Sequence, residues 1–148
     1  MTTSYLYAAA AAITFFWCGS VVAISFLEAW LKFSAPGVTL PIGLGIGRLV
    51  FSALNKLEWV LLIAGTVCGL IAGSGNWPGM VWLFLAAGIL LIETVWLLPA
   101  LDKRAVAYMS GQQPGPSSTH LVFIAAELIK VAGLILAGID LLKLVKLA

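Results

Sequence analysis

The sequence predicts an all-α integral membrane protein, an antiparallel bundle of four transmembrane helices, and three observations predict it. Hydrophobic residues make up 62% of the 148. Charged residues make up only 9%, where a soluble domain carries about 25%, and the mean hydropathy is +1.11. Four stretches are each long and apolar enough to cross a bilayer: about 5–33, 46–73, 80–101 (or on to 109) and 119–147. Backbone groups in lipid must satisfy one another within the segment, so these stretches are read as helices. They fill a single domain, 1–148.

The first helix follows Met-Thr-Thr-Ser-Tyr with no Lys or Arg before its alanine-rich run, so it is expected to stay in the mature protein and not to be cleaved. Ser34-Ala35-Pro36-Gly37 stops it, and Pro41, Gly43, Gly45 and Gly47 are expected to fill the link to the second helix. Gly73 to Gly79 reads as a tight turn before the third. Gly111 to Ser118 reads as a polar loop before the fourth, which Ser118 or Thr119 can cap. Cys18 and Cys68 lie in apolar runs without a CxxC pair and read as small packing residues.

Antiparallel neighbours put the 34–45 and 110–118 loops on one side and both termini on the other. Lys32, Arg48, Lys56, Lys103 and Arg104 belong to the loop side, and Lys143 and Lys146 to the other. The positive-inside rule then makes the loops cytoplasmic and both termini external. Trp77 and Trp82 are expected at one membrane interface, with Trp30, Trp59 and Trp96 at the other.

The fourth helix echoes the second. Arg48 to Glu58 lies on His120 to Lys130 without a gap, matching Leu-Val-Phe and pairing Arg48 with His120, Asn55 with Glu127 and Glu58 with Lys130. Leu27-Glu28-Ala29 is echoed more faintly by Ile92-Glu93-Thr94. A duplicated helical hairpin would produce this pattern.

Each spanning helix carries one glutamate: Glu28, Glu58, Glu93 and Glu127. An ionisable residue at membrane depth costs about 2.5–3.5 kcal/mol on insertion scales, so it tends to face the bundle interior or a watery cavity. Arg48, Ser52, Asn55 and Glu58 share a helical stripe; so do Ser25, Glu28 and Lys32, and His120, Glu127 and Lys130. Converging, they make a cytoplasm-facing pocket of Glu28, Arg48, Asn55, Glu58, Glu93, His120, Glu127 and Lys130 for a small polar solute or ion. Glu93 has no basic residue three or four positions away, so it must find its partner on another helix or hold a proton. The plainer alternative is a salt-bridged network that only fixes helix packing, with Glu28–Lys32 and Glu127–Lys130 paired within their helices.

Other chemistry finds little footing. One histidine cannot supply both axial ligands of a haem and Glu-x-x-His is absent; Glu58, Glu93, Glu127 and His120 could still hold a divalent ion, but the adjacent lysines oppose it, so no metal or cofactor is expected. No Ser-His-Asp set or phosphate loop stands in a usable context, which leaves catalysis without candidate residues. A net charge of +2 without a basic tail points away from nucleic acid. The expected partner is the lipid bilayer. The ladder of Gly65, Gly69 and Gly73 admits close helix approach, within the bundle or toward a second copy or larger membrane complex.

Phe33 and Pro36, Leu49-Val50-Phe51, Trp96-Leu97-Leu98-Pro99 with Met109 ten residues beyond, and His120 together give a resemblance. On them the chain resembles the transmembrane-protein-205-like family of small four-helix membrane proteins, although the link from Pro99 to His120 is shorter than in animal members. The resemblance implies a four-helix fold and no agreed biochemistry. Two functions follow as expectations: a transporter-like or solute-binding membrane protein, or a structural, accessory subunit of a larger membrane complex.

Overall fold

The computed structural model describes residues 2–73 and 79–147, the side chains of the last two excepted. The turn expected around 74–78, with Trp77, and the side chain of Lys146 lie outside the described residues. All described regular structure is helical, and four helices are long and apolar enough to span a membrane: α1 (Thr2–Ser34), α2 (Leu40–Ile71), α3 (Met80–Met109) and α4 (Thr119–Leu147).

The largest departure from expectation is the start of α2. Pro41, Gly43, Gly45 and Gly47 belong to the helix, and the link shrinks to residues 35–39. Pro41 falls in the first turn, where its missing N–H costs no intrahelical bond. Two of the glycines serve close approach: a Cβ on Gly43 would overlap the Phe33 ring, and one on Gly47 would come within 3.0 Å of Lys32 Nζ. At their far ends, α2 and α3 stop on glycines with left-handed φ, Gly73 at 87° and Gly111 at 81°. After α3, Gln112 N–H donates to Ala107 O and Gly111 N–H to Tyr108 O, which satisfies carbonyls the helix leaves open.

Two helices widen into π-helical turns, α1 over Val22–Glu28 and α3 over Glu93–Leu97. In α3 the cause is legible. Pro99 lacks an N–H and would drive its ring into the carbonyl four residues back, so α3 opens just before it, with Leu98 N–H donating to Glu93 O. That adjustment lets the third helix run on to Met109.

α1 packs on α2 and α4, α4 on α3, and α2 meets α3 mainly through the half of α3 after Pro99. The buried positions follow three- and four-residue steps. In α4 they are Phe123, Glu127, Lys130, Leu134, Ala137 and Leu141; in α3 Leu83, Ala86, Leu90, Glu93 and Leu97. Such steps lay one seam along each helix. The seams are small where helices cross: Ala10 and Ala11 are buried in α1, Gly138 faces the Phe15 ring and Gly133 the backbone at Trp82. Outside the seams the surface is apolar, with Leu49, Val95, Phe84 and Leu121 each at least two-thirds exposed. Exposed apolar surface of this extent marks contact with a membrane or another protein.

Candidate functional site

Four ionisable side chains occupy seam positions. Glu58 of α2, Glu93 of α3 and Glu127 and Lys130 of α4 are each at most 2% exposed. The Lys130 ammonium stands at their centre, 2.7 Å from Glu58 Oε2, 2.5 Å from Glu93 Oε2 and 3.1 Å from Glu127 Oε2. α1 adds no charge to this group and supplies donors: Trp17 Nε1–H donates to Glu58 Oε2 at 2.8 Å and the Ser25 hydroxyl to Glu127 Oε1 at 3.0 Å. All four helices thus meet in one hydrogen-bonded knot. Two of its oxygens, Glu93 Oε1 and Glu127 Oε2, accept no hydrogen bond; the Glu127 oxygen keeps its ionic contact with Lys130.

The three glutamates offer oxygens within 4.8 Å of one another, a spacing a metal ion would accept. The ammonium already fills the space between them, and His120 is not in the group. The donor set therefore suits a lysine counter-ion and fits a divalent cation poorly.

Toward the loop end lies a partly open cavity of about 910 Å³, walled by all four helices. Ser25 belongs to its wall, and through it the cavity touches the buried knot. Asn55 and Thr94 line it too. Asn55 Nδ2 and Trp59 Nε1 both donate to Thr94 Oγ1, at 2.9 and 3.0 Å, and that hydroxyl donates to Leu90 O. The mouth is ionic. Arg48 binds Asp102 through two nitrogens, and Lys32, held by Glu28 at 3.1 Å, lies between the rings of Phe33 and Phe51.

The expected pocket residues therefore divide. Glu58, Glu93, Glu127 and Lys130 form the buried knot. Arg48, Asn55 and His120 line the cavity. Glu28 joins neither: its side chain is 29% exposed and its partner is Lys32, because the π turn that ends at Glu28 rotates the helix and spoils the regular stripe. Glu93 reaches across to Lys130, one of the partners its lonely position required. No ion pair links Arg48 or His120 to the knot among the described residues. Trp59, expected at the membrane interface, donates its indole N–H to Thr94, and Trp30 and Trp96 are 59% exposed.

Two participants escaped the sequence reading. Asp102 stands beside Lys103 and Arg104, which drew attention only to the basic charge. Trp17 lies deep in an apolar run, where its buried indole N–H was the available signal that an acceptor must be near. Comparison with known proteins finds no match to this chain, whether family model, curated protein or solved structure.

Proposed function

We propose that the four helices cross a bilayer as an antiparallel bundle and that the loop-end cavity binds a small polar solute or ion, as in a transporter-like protein. The observation that carries the reading is a cavity of about 910 Å³ whose Ser25 wall is bonded to a wholly buried charge cluster. Lys130 lies about 16 Å along α4 at the helical rise, roughly mid-depth in hydrocarbon about 30 Å thick. Charge at that depth is expensive and marks solute or ion pathways by default. The excess of Lys and Arg at the loop end supports a cytoplasmic mouth and external termini. The sequence resemblance supports kinship with the transmembrane-protein-205-like proteins.

Two contacts favour a duplicated hairpin. Residues paired by the internal alignment touch their own counterparts: Phe51 meets Phe123 edge to face at 5.4 Å, and Glu58 meets Lys130 at 2.7 Å. An axis between α2 and α4 would bring equivalent positions together in this way.

The test is a thermal-shift screen of the purified protein over ions, metals and small metabolites. At least one polar solute should raise the melting temperature of the wild type, and Arg48→Gln, a change at the cavity wall, should reduce that shift while the protein stays folded. A screen without any stabilising solute would overturn the reading. One observation favours the second reading, a structural or accessory subunit: the ammonium has a carboxylate from each of α2, α3 and α4, a closed arrangement that needs no ligand.

A further inference from the structure

We infer that the loop-end cavity takes an anionic amphiphile, a phosphate or carboxylate head on a hydrocarbon tail; this names the ligand class of the proposed solute site and rests on that reading. The charge on the wall carries the first half of the argument. Lys32, Arg48 and Arg104 line the cavity against a single carboxylate, Asp102, and none of the knot's glutamates reaches the wall. The cations also keep donors in hand. Arg48 commits Nε and Nη2 to Asp102, Lys32 makes one hydrogen bond of the three an ammonium can make, and Arg104 donates Nη2 to Gly115 O. Phosphate and carboxylate are the groups such donors recognise most strongly.

The other half is the wall between the charges. Phe26, Trp30, Phe33, Phe51, Leu98 and Phe123 make it mainly apolar. A bare anion would leave these rings against water, and an uncharged hydrocarbon would leave the remaining donors of Lys32, Arg48 and Arg104 without an acceptor. A molecule with both parts satisfies both. Trp30 and Phe33 are also 59% and 38% exposed on the outer surface, so the apolar wall continues to the face that lipid would cover and gives a tail a route in. The ligand can come from the bilayer as an anionic phospholipid or from solution as a single-chain acid; the head and tail chemistry is the same.

The experiment uses the full chain in phosphatidylcholine nanodiscs with octyl phosphate as the probe, and reads melting temperature and tryptophan fluorescence. Octyl phosphate is expected to bind, to weaken with added salt, and to bind about tenfold more weakly to Arg104→Gln and to Lys32→Met, each of which removes a charge-assisted contact. Octanol, octyltrimethylammonium and inorganic phosphate are expected to bind far less. Adding phosphatidylglycerol to the discs separates the sources: competition supports a bilayer lipid, and undiminished probe binding supports a free acid. Inorganic phosphate binding as tightly as octyl phosphate, octanol or octyltrimethylammonium binding as tightly, or wild-type affinity in both variants would overturn the inference and leave a solute pocket of another class. No binding of octyl phosphate overturns it as well, and the polar-solute screen then decides the pocket reading separately.

Discussion

The buried knot and the cavity mouth are built from the same chemistry, basic groups against carboxylates, in two different surroundings. Lys130 is wholly enclosed and touches carboxylates of three helices. Arg48 and Asp102 at the mouth are 36% and 46% exposed in their side chains. Attraction between charges strengthens as water is excluded, but so does the penalty for leaving one unpaired. The knot is therefore hard to take apart, whereas the pairs at the mouth can exchange one partner for another at little cost.

Lys130→Met is the harshest way to break this comparison. It leaves three buried carboxylates facing one another without a cation and should destabilise by more than the roughly 3–5 kcal/mol of a single broken buried pair. The readout is lost expression or a collapsed melting temperature; a well-folded variant would show that the knot is not holding the helices. Replacing Glu58, Glu93, Glu127 and Lys130 together by Met removes every charge at once. Stability should then be restored, neutral or improved by about 1–4 kcal/mol. If the fourfold variant both folds and binds, the knot has no part in the site.

Glu93→Gln should fall between these extremes. Lys130 keeps Glu58 and Glu127, so no cation is stranded, and the cost should be about 1–3 kcal/mol from one lost charged hydrogen bond. Denaturation in detergent measures it; a loss as large as that of Lys130→Met would mean that the three carboxylates are not interchangeable partners. At the mouth, Asp102→Asn should cost only about 0–1 kcal/mol, as for other half-exposed pairs, while the freed Arg48 should bind anions more tightly. Weaker anion binding in Asp102→Asn would mean that Asp102 positions Arg48 instead of competing for it. The smallest effect belongs to Asp140→Asn, which removes the surface partner of Lys143 and should move stability by no more than about 0.5 kcal/mol.

Much of the candidate site was legible because the arithmetic of charge in lipid is severe. Glu93, alone in an apolar run, had to find a partner on another helix or hold a proton, and it faces Lys130. Other features were not legible, for physical reasons. Gly43 and Gly47 looked like linker residues, because a glycine chosen for close packing against Phe33 and Lys32 has the same letter as one chosen for a turn. Glu28 looked equivalent to the other glutamates because a regular 3.6-residue spacing was assumed through Val22–Glu28, where the helix is π-wound. The Arg48–Asp102 pair joins residues of different helices, 54 positions apart, and local spacing carries no information about such a pair.

By itself the sequence determined how many helices are long and apolar enough to span a membrane, the ends of most of them and which residues would be too costly to face lipid. These follow from length, hydropathy and turn chemistry, all local properties of the chain. Only the tertiary structure decided that Lys130 is shared by three carboxylates, that Trp17 and Ser25 complete the knot and that the basic side chains gather around a separate cavity. Those outcomes depend on how four seams interlock, and in lipid that choice rests on close packing and hydrogen bonding between helices, because apolar burial favours no one arrangement over another.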